Sequence, residues 1–213
     1  MIIAVVGAGG KTSLIRDLTA QYRSEGKRVL VTTTTHMFIE EHTLCTDDAQ
    51  QILSVLQETG FVMAGIPHGP KIRSLSPETY EAVCRHADVV LVEADGSKHM
   101  PLKYPNESEP VIPENAQEIL VVCGLHGLGR NAKDCCHRLE LVKTCLGIED
   151  DTRITPAHVQ KLVEEGYRKP LQAKYPHKKI SIVARHDGSP DQQALAALLQ
   201  QGVDVSGLDT PVK

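Results

Sequence analysis

An α/β fold on a mostly parallel, doubly wound sheet is predicted for this 213-residue chain by three observations. Short apolar, β-branched runs recur along the sequence, helical patterns separate them, and the first run enters a glycine-rich turn directly before a helix start. Continuously apolar runs suit strands buried on both faces of a parallel sheet, and regular strand–helix alternation is the order such a sheet requires. Strands are expected at residues 2–6, 28–33, 61–64, 89–93, 118–123 and 180–184, and helices at 11–25, 47–59, 77–86, 138–146, 156–165 and 191–201. Ser76-Pro77 and Thr155-Pro156 mark two of these helix starts, each a capping hydroxyl followed by proline at the first helical position. Residues 124–160 read as a small helical excursion, and 204–213 as a loose C-terminal tail on a single domain covering 1–203. Between 97 and 117 the rhythm breaks: Pro101, Pro105, Pro110 and Pro113 stand among charged residues, the mark of a long functional or mobile loop.

The composition excludes several classes of function. Apolar residues are 41% and charged residues 23%, which is globular, and a net charge of −4 gives no electrostatic footprint for nucleic acid. Aromatic residues are only 3%, with no tryptophan, so a base-stacking platform is not expected. Six cysteines (45, 84, 123, 135, 136 and 145) lack C-x-x-C spacing and do not read as a disulfide framework. No apolar run approaches membrane-spanning length and the first strand is too short for a signal core, so a cytoplasmic protein is expected.

The chemistry begins at Gly7-Ala8-Gly9-Gly10-Lys11-Thr12-Ser13. Glycines between a strand and a helix let backbone N–H groups converge on phosphate oxygens, toward which the helix also points its positive end. Lys11 is expected to reach β- and γ-phosphates, and the Thr12 hydroxyl to sit on Mg²⁺. The motif is a variant, because Val5 occupies the place of the first glycine in G-x-x-x-x-G-K-[ST]. The fold expected is therefore P-loop NTPase-like, three-layered, with the nucleotide held by Gly7, Ala8, Gly9, Gly10, Lys11, Thr12 and Ser13.

A second element is the apolar strand ending in Glu93-Ala94-Asp95-Gly96. Ligands bind at the carboxyl ends of strands in open parallel sheets, and two carboxylates spaced by two share a side. One is expected to support Mg²⁺ and the other to orient a water or an acceptor hydroxyl; the alternative is an acidic turn with Asp95 as a helix cap. Thr32-Thr33-Thr34-Thr35-His36 closes another strand and is either a strand end or a switch segment. Lys98, Lys103 and Arg138 are cations available to a γ-phosphate. Asp187 follows the last strand where guanine-specific enzymes carry N-K-x-D, of which only the aspartate remains. Either ATP or GTP is thus expected.

Together these segments, with Pro101-Leu102-Lys103-Tyr104-Pro105, Glu109-Pro110-Val111-Ile112-Pro113 and His137-Arg138, resemble the YqeC family from residue 2 to about 187. The resemblance implies a P-loop protein acting in maturation of a selenium-dependent molybdenum hydroxylase or its cofactor, with such an enzyme or a cofactor-biosynthesis protein as partner. The Val-Glu-x-x-Gly strand end is also similar to that of nickel-insertion GTPases, which favours Glu93 as the magnesium-side carboxylate and leaves Asp95 with Lys11, Lys103 and Arg138 as the catalytic set. The readings that follow are an Mg²⁺-dependent NTPase, a nucleotide-gated binding module with little hydrolysis, and a small-molecule kinase or ligase.

Overall fold

The structure, a computed structural model, describes residues 1–200; the tail expected at 204–213 lies outside them. The chain forms two compact units. The first comprises Met1–Val5, Thr12–Asp95 and Val111–Gln117, and the second Val6–Lys11, Gly96–Pro110 and the chain from Glu118 onward.

In the first unit, β1 (Ile2–Gly7) leads through the glycine turn to α1 (Lys11–Ser24), both elements crossing the boundary between units. β2 (Val29–Thr33), β3 (His36–Phe38), β4 (Thr43–Cys45), α2 (Ala49–Thr59), β5 (Phe61–His68), β6 (Lys71–Arg73), α3 (Pro77–Cys84) and β7 (Val89–Glu93) follow. β7 lies between β1 and β2, parallel to both, with Glu93 opposite Val5 on one side and Thr33 on the other. β2 pairs in parallel with β5, which also takes β4. All five residues of β2 and of β7 are buried, as expected of strands covered on both faces.

One face of this sheet packs Leu30, Val62, Ala64, Val90 and Val92 against Ile52 and Leu56 of α2 and Val83 of α3. A fully buried side chain of this size stabilises by roughly 1.5–3 kcal/mol. Asp48 caps α2 by accepting from the Gln50 and Gln51 N–H groups, and Gly60 in left-handed conformation ends it. Ser76 caps α3 as its sequence predicts. Beyond the parallel strands, β5, β6 and β3 form an antiparallel extension that sequence patterning does not reveal.

The second unit contains β8 (Leu102–Lys103), β9 (Glu118–Gly124), a 3-10 turn (Leu125–Gly127), α4 (Ala132–Cys135), β10 (Cys136–His137), α5 (Leu139–Leu146), α6 (Pro156–Val163), α7 (Lys169–Lys174), β11 (Lys179–Arg185) and α8 (Pro190–Gln200). β9 and β11 run parallel from Glu118↔Lys179 to Gly124↔Arg185. The helical excursion expected at 124–160 is present but runs on to Lys174 and includes a strand residue pair, β10 against β8. Thr155 starts α6 with a reciprocal cap in which His158 takes the role usually played by glutamate. A π-turn, Glu164–Arg168, joins α6 to α7. Pro170 lacks the N–H that would bond to residue 166, and its ring would crowd that carbonyl in an α-helix, so the backbone widens there.

The segment after Asp95, expected to be a long functional or mobile loop, is anchored in its middle. Pro101, Leu102, Lys103 and Pro105 are buried, and β8 supplies the anchor.

Candidate functional site

The turn after β1 is fixed by backbone geometry. Gly7, Gly9 and Gly10 have φ of 87°, 75° and 120°, the left-handed region that a side chain disfavours. A Cβ at Gly7 would lie 2.1 Å from the Val122 carbonyl oxygen, and one at Gly9 2.5 Å from the Pro101 oxygen, so glycine is also the only residue with room. The Ala8 N–H donates to the Val122 carbonyl at 2.9 Å, holding the turn on β9. Lys11 opens α1, whose first turn presents N–H groups without intrahelical acceptors.

Lys11 is 5% exposed. Its ammonium folds back over the turn, donating to the Gly7 carbonyl at 2.8 Å and to Ser97 Oγ at 3.0 Å. A lysine curled across its own glycine loop, at the start of a helix, is an arrangement chemically able to receive phosphate oxygens. Thr12 is exposed and Ser13 half-buried in the same first turn.

At the end of β7 Glu93 is 8% exposed and Asp95 fully buried. The threonine run stitches strand ends together. Thr32 Oγ1 donates to the Ala64 carbonyl at 2.9 Å, Thr33 Oγ1 to the Glu93 carbonyl at 2.7 Å, and Thr34 Oγ1 to the Val111 carbonyl at 2.7 Å. Thr33 Oγ1 also accepts the Thr35 N–H at 2.9 Å. His36 begins β3 and faces His68, their ring centroids 5.0 Å apart. Desolvation, His68, Lys71 and Arg73 all hold its pKa below the usual imidazole value.

Lys103 and Arg138, two of the cations expected near a γ-phosphate, meet on Glu109. The Lys103 ammonium, with a side chain 0% exposed, is 2.7 Å from Glu109 Oε2 and donates to the Gly96 carbonyl at 2.5 Å. Arg138 grips the same carboxylate with Nε at 2.9 Å and Nη2 at 2.8 Å. Burial alone would raise the Glu109 pKa; the bonds from Arg138 and Lys103 outweigh it and hold the group at about 2. Glu109 carries no role in sequence reasoning, and its position before a proline gives no signal of this pairing. Lys98 is exposed.

Asp187 is exposed at the entry to α8. It accepts from the Ser189 N–H at 2.9 Å and the Gln192 side-chain amide at 3.3 Å, and the hydrogen bonds from Ser189 lower its pKa. Its neighbour Arg185 is 3% exposed and lies against the glycine turn, where a Cβ on Gly10 would sit 3.0 Å from Arg185 Cγ. The sequence signal for Arg185 is its place at the end of the last strand.

Among the described residues no group of three or more His, Cys, Asp or Glu side chains is placed to hold a metal ion. A magnesium site of the kind expected does not require such a group, since Mg²⁺ keeps several waters and takes one or two protein oxygens beside phosphate. Thr12 and Glu93 offer the hard oxygen donors it prefers. The six cysteines stand as free thiols, and no helix among the described residues is long and apolar enough to cross a membrane.

Comparison with known proteins gives three findings. An uncharacterized YqeC protein of Escherichia coli strain K12 is 36% identical over 171 residues, covering 76% of this chain and 67% of its own. A MinC:MinD cell division protein complex of Aquifex aeolicus superposes with a TM-score of 0.42 at 12% identity, covering 87% of this chain and 68% of that one, a likeness too loose to inform the fold. The family model described as YqeC protein matches residues 3–140, and with the turn, the carboxylate strand end and the Lys103 loop inside that span the chain belongs to the YqeC family.

Proposed function

We propose that this protein is an Mg²⁺-dependent nucleoside-triphosphate-binding protein and NTPase, taking ATP or GTP on one domain over residues 1–203. In this reading it acts in the cytoplasm in maturation of a selenium-dependent molybdenum hydroxylase or its cofactor. The observation that carries the nucleotide reading is the glycine turn: three left-handed glycines between a strand and a helix, with Lys11 curled over them.

Each residue then has a task. The N–H groups from Gly7 to Ser13 cradle the phosphates, and Lys11 exchanges its bonds to Gly7 and Ser97 for β/γ-phosphate oxygens. Thr12 and Glu93 would hold Mg²⁺, which when bound supplies charge neutralisation between the phosphates. Buried Asp95 orients the attacking water or an acceptor hydroxyl, and Lys103 and Arg138 stabilise negative charge that develops on the transferring group. Asp187 contributes to the base side.

A second reading, a nucleotide-gated module for a partner or cofactor with little hydrolysis, is favoured by one observation: Lys103 and Arg138 are both engaged by Glu109. Titration calorimetry with a non-hydrolysable triphosphate tests the nucleotide site. Lys11→Ala is expected to lower affinity roughly a hundredfold, the scale of two lost charge-assisted contacts, with the far-ultraviolet spectrum unchanged. Equal affinity in the variant would sink the reading. Phosphate release over many turnovers, with ATP and with GTP, then separates the NTPase from the gated module.

A further inference from the structure

The Lys103–Glu109–Arg138 cluster presents an uneven arrangement of fixed and movable parts. Its cations sit on paired backbone: Lys103 is in β8, opposite His137 of β10, and Arg138 follows directly. Its anion hangs from a small exposed turn. Glu107 and Ser108 are exposed, and the turn is held by its own bonds, the Glu109 N–H to the Asn106 carbonyl at 3.1 Å and the Ser108 N–H and Oγ to Asn106 Oδ1 at 3.2 and 3.0 Å. Backbone strain collects around the same cluster. Among the described residues the non-glycine positions with positive φ are Lys98, His99 and Arg138, at 49°, 61° and 61°. Strain of this kind persists where the surroundings over-determine it, often at ligand clamps.

The donors suit an anion larger than a carboxylate. Three charge-assisted donors, a guanidinium fork and an ammonium, converge on two oxygens, a set that binds phosphate as readily as carboxylate. His137, next to Arg138, has its pKa lowered by burial and then by Lys103, Arg138 and Lys98, against Glu109.

We propose that Lys103 and Arg138 form a phosphoryl-binding site and that the Glu109 carboxylate is its internal stand-in, swinging out on the Asn106 turn when a ligand phosphate enters. The site adjoins the phosphate loop through the chain itself: Lys103 binds the Gly96 carbonyl while Lys11 binds Ser97, the next residue. Its phosphoryl group therefore comes from the γ-position of the nucleotide or from a phosphorylated acceptor, and the identification of that nucleotide rests on the reading above.

Thermal unfolding of Glu109→Ala, titrated with inorganic phosphate, tests the site. The variant is expected to melt lower than the wild type and to recover by roughly 5–10 °C at a hundredfold excess over the phosphate Kd, while the wild type moves far less. Should the alanine variant not fold, Glu109→Gln, which keeps the shape, undergoes the same titration. Recovery must survive Lys11→Ala and vanish with Arg138→Met. Equal phosphate response in wild type and variant, or loss of the response with Lys11→Ala, overturns the proposal. In the Glu109 variant a triphosphate-over-diphosphate preference larger than in the wild type assigns the γ-phosphate; phosphate recovery undiminished by bound triphosphate assigns an acceptor. Failure of the nucleotide reading shows separately, as calorimetric affinity that Lys11→Ala leaves unchanged.

Discussion

The glycine turn of residues 7–10 and the loop of residues 96–110 both gather groups suited to phosphate, but they are held by opposite means. Backbone angle and lack of space hold the turn, where one added methyl would approach the Val122 oxygen to 2.1 Å. Beyond its β8 anchor, the loop is held by side-chain charge, through a carboxylate shared by Lys103 and Arg138. The contrast teaches which kind of change each region tolerates. Steric changes break the turn; charge changes break the loop, even where they keep the shape of the side chain.

Gly7→Ala is the most severe way to break the contrast. With φ at 87° and the clash at Val122, it is expected to destabilise by about 4 kcal/mol or more, read from the urea unfolding midpoint. A loss below about 1 kcal/mol would mean that the turn adapts as the loop does.

Glu109→Gln comes next, with an expected loss of about 3 kcal/mol, the lower end for breaking a buried ion pair because the Arg138 side chain is 30% exposed. The acid limb of stability sharpens this. The folded-state pKa of about 2 lies below the ordinary 4.5, so the contribution is full above pH 4.5 and is lost as pH falls toward 2. Wild type minus Glu109→Gln should therefore shrink over that window, and a constant difference would assign the loss to packing.

Glu93→Gln should be milder. A roughly tenfold loss of Mg²⁺-dependent turnover is expected, with magnesium-free nucleotide affinity retained, since the amide keeps the shape and loses the charge. Equal loss of both would make Glu93 structural. Smallest is Asp187→Ala, a slight lowering of the urea midpoint from loss of its bonds to Ser189 and Gln192 ahead of α8. A change in base preference without a change in stability would return Asp187 to the nucleotide.

The same contrast explains what the sequence makes legible. The core strands and the glycine turn are readable because they are local: continuous apolar runs announce β2 and β7, and glycine followed by Lys11 announces a strained turn before a helix. Ser76 and Thr155 start their helices as expected because a cap and a proline act within one turn. Three-residue strands such as β3 and β6 escape because they are too short to show a period, a single buried residue between two that are not. Glu109 escapes for a different reason. Its partners are 6 residues back at Lys103 and 29 ahead at Arg138, and no local pattern encodes a contact made by tertiary packing. The cations themselves were legible as charge in the right segment; what engages them was not. Arg185, buried against Gly10, is likewise visible only once β11 is placed.

The π-turn between α6 and α7 has a consequence for how this family can change over time. Such a turn is the trace of one extra residue accommodated within a helix. Here it turns Gly166 toward Tyr104 and Pro105, where a Cβ would lie 3.1 Å from Pro105 Cδ and 3.3 Å from Tyr104 Cδ2. Pro170, Gly166 and the Tyr104-Pro105 pair are therefore coupled positions. A lineage that loses the proline can drop one residue and straighten the helix, and the restraint on Gly166 goes with it. Among homologues these positions should covary and a single-residue deletion should fall within 164–168, a pattern that aligned sequences alone can expose.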